Sequence, residues 1–257
     1  MPSYSAFKPI LPPDRTRMST LQHQIAVVTG ASNGIGRAIA LALAAQGVHT
    51  CLIGRSLETL QRVADAAGSA MASCYQADLE LDVEVDELAT RIGRDVSSVD
   101  ILVHAAGVMW WGPVEAATPR QLDSTYRTNV RAPYVLTQAF LPQLTARQGQ
   151  IVFVNSTAGL SAKANVAQYA ASKHALKALA DSLRDEVNSA GVRVLSLYLG
   201  RTASDMQAAV HASEGRPYRP ELLLQPHDIA AVAVHALQAP RSMEITDIHL
   251  RPMAKSY

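Results

Sequence analysis

The chain has 257 residues, 48% of them hydrophobic and 18% charged, with a formal net charge of +1. That composition supplies a large core, and so even a balance offers no grip to a nucleic acid or an anionic membrane as main partner. Two cysteines, Cys51 and Cys74, are too few for a disulfide framework or a metal cluster, so both read as buried, reduced thiols and no metal site is expected. The longest purely apolar run, Ala38 to Ala45, is far short of the roughly 18 residues of a membrane span. The first twenty residues lack the apolar core of a signal peptide and contain Pro2, Pro9, Pro12 and Pro13, which predicts a flexible arm over 1–20, one domain over 21–257 and a cytoplasmic protein. Met18 offers an alternative start.

In chain order, "QIAVVT" (Gln24 to Thr29) is a β-branched apolar run that reads as a buried strand. A glycine-rich turn follows, then a helix over Ile35 to Gln46 stopped by Gly47. Thr50 to Ile53 is a second strand. Ser56 is a good N-cap for a helix over Leu57 to Ala67, which Gly68 ends. Ser73 to Gln76 is a strand, Val83 to Val96 an amphipathic helix and Asp100 to His104 the fourth strand. Thr118-Pro119 is a cap followed by a first-turn proline, and the helical pattern runs on to Arg147 with kinks expected at Pro133 and Pro142. Gln150 to Val154 is the fifth strand, followed by a helix from Tyr169 to near Gly191 and a sixth strand over Val192 to Leu199. An irregular stretch leads to a helix over Pro226 to Leu237 and a last strand over Glu244 to Leu250. Strands alternating with helices in this way predict an α/β fold, a doubly wound parallel sheet of about seven strands between two helical layers.

Two local patterns carry chemistry. "VVTGASNGIGRAIA" places Gly30, Gly34 and Gly36 between the first strand and first helix. Glycines there let the backbone turn sharply and approach a ligand, while the helix N-terminus offers free N–H groups to a pyrophosphate; Ser32 and Asn33 add side-chain donors. The same turn can also serve only to reverse the chain, but its place at the first strand–helix junction favours a nucleotide. In "YAASKHALKALADSL", Tyr169 and Lys173 stand four apart, which puts a phenol and an ammonium on one helix face. That is either a solvated pair or an acid–base device.

Together these patterns resemble the short-chain dehydrogenase/reductase family, from Gln24 to the C-terminus. Its T-G-x-x-x-G-x-G turn matches Thr29 to Gly36, its Y-x-x-x-K matches Tyr169 and Lys173, its serine matches Ser156 in "VFVNSTAG" and its asparagine matches Asn129 in "RTNVRAP". The resemblance implies a Rossmann-like fold in which Asn129, Ser156, Tyr169 and Lys173 are catalytic. Tyr169 acts as general acid/base, Lys173 lowers its pKa and holds the nicotinamide ribose, Ser156 hydrogen-bonds the carbonyl oxygen, and Asn129 holds a water linking Lys173 to solvent. The chemistry needs these types, because a carbonyl that accepts hydride becomes an alkoxide to be stabilised and protonated.

The cofactor is expected to lie against Gly30, Ser32, Asn33, Gly34, Ile35, Gly36, Asp78, Leu79, Ala105, Ala106, Gly107, Tyr169, Lys173, Gly200 and Ser204. Arg55, just past the second strand where NAD-preferring members carry an acid, favours NADP(H) over NAD(H) by offering a fork to a 2′-phosphate. The sequence departs from the family in two places, with His104-Ala105 where two amides are usual and Leu199-Gly200 in place of Pro-Gly. His104 is given no catalytic role. Trp110 and Trp111 are candidate pocket walls, and Asp205 to Gln225 a mobile substrate-covering segment. Arg201, Arg216 and Arg219 are expected to be solvated, although the tail is similar to a branch acting on small hydroxy-acid-type carbonyl substrates. The expected activity is reduction of a carbonyl compound or oxidation of an alcohol. A 3-oxoacyl thioester reductase and a non-catalytic nicotinamide-binding sensor or scaffold are the alternatives. A homotetramer or homodimer, paired through the helices after the fourth and fifth strands, is implied.

Overall fold

The computed structural model describes residues 18–253; most of the expected N-terminal arm lies outside them. Seven parallel strands form the sheet in the order β3-β2-β1-β4-β5-β6-β7. They are β1 (Ile25–Thr29), β2 (His49–Gly54), β3 (Ala72–Gln76), β4 (Ile101–His104), β5 (Gln150–Ser156), β6 (Arg193–Leu199) and β7 (Asp247–Leu250). The doubly wound α/β fold expected from the alternation of elements is the fold observed. The strand order reverses between β1 and β4, and in such sheets a crevice opens at that point, outside the carboxyl ends of the strands.

Along each inner strand, alternate residues enter opposite cores, as the two-residue repeat of a strand requires. Ala26 and Val28 belong to one core and Val27 to the other; Ile101 and Val103 oppose Leu102, and Val152 and Val154 oppose Ile151 and Phe153. The first core is closed by α1 (Gly34–Ala44), α2 (Leu57–Ala67) and α8 (Pro226–Leu237), through residues such as Ile39, Leu43, Leu60 and Ile229. The second is closed by α3 (Asp82–Asp95), α5 (Ala132–Arg147) and α6 (Ala167–Val187), through Leu88, Ile92, Phe140, Leu176 and Leu183. A sheet covered on both faces explains why its strands read as unbroken apolar runs. Cys51 is buried, and burial pushes its thiol up to about 12; Cys74 is only half-buried. No helix among the described residues is long and apolar enough to cross a membrane.

Three expectations need correction. The single helix expected from Thr118-Pro119 to Arg147 is two helices, α4 (Pro119–Tyr126) and α5, joined by a π-helical turn over Arg127–Arg131. Pro133 sits at the start of α5 and offers no N–H to the carbonyl of Asn129 one turn earlier, so the ordinary ladder cannot pass through it. Pro142 lies inside α5 without ending it. The irregular stretch after β6 contains a helix, α7 (Asp205–Ser213). The last strand begins at Asp247 rather than Glu244, because the Glu244 carboxylate accepts from the Val194 N–H at 2.9 Å and takes the place of a strand backbone there.

Exposed Tyr126 and Tyr134 line a groove over α5 and α6, the face on which a second copy was expected.

Candidate active site

The turn between β1 and α1 is shaped by what a Cβ would strike. Gly30 has φ +66° and approaches the chain after β4 so closely that a Cβ would lie 2.8 Å from the backbone of Ala106. At Gly36 a Cβ would lie 2.3 Å from the Gly30 carbonyl oxygen. Thr29 fastens the same junction: its hydroxyl donates to Val103 O (3.3 Å) and accepts from the N–H groups of Ala105 (3.0 Å) and Ala106 (3.1 Å). The N-terminus of α1 has no side-chain cap and no acid in its first turn. Its free N–H groups and positive dipole end therefore face a cleft suited to an anion.

That cleft is lined by Gly30, Ser32, Asn33, Gly34, Ile35, Gly36, Arg55, Asp78, Leu79, Ala105, Ala106, Gly107 and Ser204, all named as cofactor residues from the sequence. Arg55 is exposed at its far end beside Ser56 and Thr59. Asp78 is less open than expected, since its carboxylate accepts from the Glu80 N–H at 3.0 Å. Gly200 lies in the adjoining cavity instead. Asn33 Nδ2 donates to Asp205 Oδ2 at 3.2 Å, a contact from the glycine turn to the start of α7.

The adjoining cavity, of about 540 Å³, is lined by Ser156, Tyr169 and Lys173 and shares Ile35, Ala105, Gly107, Ser204 and Met206 with the cleft. Ser156 is the last residue of β5, not the first past it, with its N–H held by Asn155 Oδ1 (2.7 Å) and its hydroxyl accepting from Ala158 N–H (3.1 Å). Lys173 is 4% exposed and donates from Nζ to Val154 O at 2.9 Å; burial holds its ammonium down to about 8. Nζ lies 5.7 Å from the centre of the Tyr169 ring.

The Tyr169 phenol differs from expectation. Loss of solvent pushes it above its ordinary range, and the hydrogen bond with Ser156 opposes that rise. Lys173, with its ammonium 5.7 Å from the ring centre and itself disfavoured by burial, does not outweigh that loss of solvent. The protonated phenol is the form that can donate a proton.

The Asn129 amide donates to Val108 O (2.9 Å) and Ser172 Oγ (3.0 Å) and accepts from Val108 N–H (2.8 Å), clamping the loop after β4. Asn155, Ser172 and Thr29 escaped the sequence reading. Asn155 Nδ2 holds the Lys173 carbonyl at 3.2 Å, and Gly159 packs so tightly there that a Cβ would lie 2.8 Å from that oxygen.

His104 is a core residue, as expected: it stacks on Phe153, bonds Thr137 Oγ1 at 2.9 Å through Nε2, and burial pushes its pKa to about 3. Leu199 completes β6 in the core, and the Gly200 N–H donates to Leu250 O at 2.8 Å, so the sheet continues through the unusual Leu-Gly pair. Trp111 lines the cavity, whereas Trp110 is 45% exposed and does not. The segment expected to be mobile is pinned at both ends. Ser204 caps α7 by accepting from Gln207 N–H and is gripped by the Tyr218 hydroxyl at 3.0 Å, while Arg201 pairs with Glu214 at 2.6 Å. Arg201 is thus ion-paired and only partly exposed; Arg216 and Arg219 are exposed.

The family model described as short chain dehydrogenase matches residues 24–215. The chain belongs to the short-chain dehydrogenase family. Members are oxidoreductases that bind a nicotinamide cofactor. An uncharacterized oxidoreductase of Staphylococcus aureus is 30% identical over 237 residues, 92% of this chain and all of that protein. A metagenomic short-chain oxidoreductase solved in complex with NADP is 32% identical with a TM-score of 0.79, covering 92% of this chain and 100% of its own. A short chain dehydrogenase from Salmonella enterica serovar Typhi is 31% identical with a TM-score of 0.82, covering 91% and 98%. For a short-chain dehydrogenase the glycine cleft fits the dinucleotide, since a Cβ at Gly30 or Gly36 would strike backbone and the α1 N-terminus is left uncapped.

Proposed function

We propose that this protein is an NADP(H)-dependent oxidoreductase acting on a carbonyl compound or the corresponding secondary alcohol, with Tyr169 as general acid/base. The observation that carries the reading is the meeting of Ser156, Tyr169 and Lys173 in a cavity that shares a wall with the glycine cleft. The bound nicotinamide would supply or accept the hydride. Ser156 Oγ hydrogen-bonds the substrate oxygen and holds it beside the phenol. Tyr169, whose protonated form burial further favours, donates its proton to the oxygen as alkoxide charge develops. The phenolate left behind is stabilised by Ser156 and by the charge of Lys173. Water meets this chain of groups at the Asn129 carbonyl, which Pro133 leaves without its usual helical donor.

Tyr169→Phe tests the acid–base role. It should lower kcat by about a thousandfold, the scale of general acid catalysis, with NADPH affinity within about threefold of wild type. Turnover within about tenfold of wild type removes Tyr169 from the role. Arg55, exposed at the cleft end beside the N-terminus of α2, supports NADP(H) over NAD(H). Arg55→Asp should weaken NADPH binding by about tenfold or more while sparing NADH, as expected on losing a charge-assisted fork. An unchanged NADPH-to-NADH ratio in a fluorescence titration overturns that assignment.

A further inference from the structure

The cavity above Tyr169 holds two opposite charges that the proton transfer does not use. Arg201, two residues past β6, donates from Nη1 to Glu214 Oε2 at 2.8 Å and from Nη2 to Glu214 Oε1 at 2.6 Å. Both residues line the cavity, and the Glu214 side chain is only 10% exposed. His211 adds an acceptor. Its Nδ1 donates to the Gln207 carbonyl at 2.8 Å, so Nε2, 3.4 Å from Arg201 Nη1, presents a lone pair to the guanidinium. Both terminal nitrogens of Arg201 are thereby engaged. Apolar and aromatic groups (Met109, Trp111, Met206, Val210) share the remaining wall with polar ones such as Thr202 and Gln207, and Lys163 is exposed at the rim.

We infer that the Arg201–Glu214 pair is a charge filter, so that the cavity accepts an uncharged carbonyl compound with an apolar or aromatic substituent and rejects carboxylates of the same shape. This inference rests on the carbonyl-reducing reading above. A carboxylate entering the cavity finds the Arg201 fork already closed on Glu214 and can pair with it only by displacing Glu214, which strands a nearly buried carboxylate. A neutral substrate leaves the fork closed. Rejection through an unpaired charge discriminates more strongly than a missing contact does. The filter argues against the hydroxy-acid substrates that the tail sequence suggested.

The test uses an isosteric pair, 1-phenyl-1,2-propanedione and phenylglyoxylate, which differ by a methyl ketone against a carboxylate. Initial rates with NADPH give kcat/KM for each, and quenching of tryptophan fluorescence in the NADP+ complex gives a Kd for each without turnover. Wild type should favour the dione by about a hundredfold in both readouts, the scale of a buried charged hydrogen bond. Glu214→Gln, which opens Arg201, should narrow the ratio by about tenfold through a lower KM and Kd for the acid. Arg201→Gln/Glu214→Gln, which removes both charges, should give a ratio between those of wild type and Glu214→Gln, since no carboxylate is left to strand and no cation to bind the acid.

Equal binding of the two compounds to wild type, or binding of neither, overturns the filter. So does an unchanged ratio in folded Glu214→Gln, or a double variant that discriminates as strongly as wild type. If Glu214→Gln does not fold, the wild-type and double-variant ratios decide. Selective binding of the dione without turnover leaves the filter standing and sinks the carbonyl-reductase reading. Equal kcat/KM for both compounds does the reverse.

Discussion

The cofactor half of the cleft is backbone set against backbone, whereas the substrate half is side chain set against side chain. In the first, Gly30 and Gly36 bring main chain to within a distance that forbids a Cβ, and Thr29 ties two strand ends with one hydroxyl. In the second, Met109 and Trp111 from the loop after β4 face Met206 and Val210 of α7, with a charged fork at the back. A backbone-built site tolerates almost no change in residue type but is indifferent to its ligand's substituents. A side-chain-built site can be altered one residue at a time. The fold can therefore hold one cofactor class while its substrate changes.

Substitutions that sharpen this contrast fall in a clear order. Gly36→Val should have the largest effect. Its side chain meets the Gly30 carbonyl, and overpacking of this kind costs about 1–3 kcal/mol. NADPH affinity measured by calorimetry should fall by up to about a hundredfold, and binding within threefold of wild type would show that the turn can relax.

Lys173, in the wall of the substrate half, comes next. Burial lowers its pKa from 10.5 to about 8. Between pH 8 and about 10 the unfolded chain keeps a proton that the folded chain has released, so stability rises with pH over that window and the penalty is in full force below it. Urea melts should show wild type gaining of order 2 kcal/mol on Lys173→Met from pH 8 to 10. A flat difference would place the ammonium in better-solvated surroundings.

The smallest effects belong to the tryptophans. Trp111→Ala should raise KM for an aryl ketone by about tenfold, because it removes a cavity wall. Trp110→Ala, half-exposed and off the cavity, should change it by less than about twofold. Equal effects would place both rings against the substrate.

The same contrast decides what could be read in the sequence. Strand runs, the glycine turn and the Tyr169–Lys173 spacing were legible because each is a local demand: burial on both faces, a forbidden Cβ, one helix face. The Arg201–Glu214 fork was not, since nothing in "RTASDMQAAVHASE" says that a helix will fold the two ends together. Nor was the upward direction of the Tyr169 shift, which depends on how much solvent the assembled walls exclude. The π turn was hidden for a different reason. Its residues have ordinary helical composition, and only the proline at 133 signals that the ladder must change there.

That turn makes the length of its segment unforgiving. A π turn holds one residue more than the α turn it replaces, and Pro133 denies the segment a regular α ladder, so with any one residue of 127–131 deleted the chain would still have to open this turn, now one position out of step. Everything on one side would then rotate by about 100° relative to the other. Either the apolar stripe of α5 would leave the sheet or Asn129 would leave the loop it clamps. Conservative exchanges can pass along this stretch, but the count of residues between Tyr126 and Ala132 is fixed as firmly as any side chain in the site.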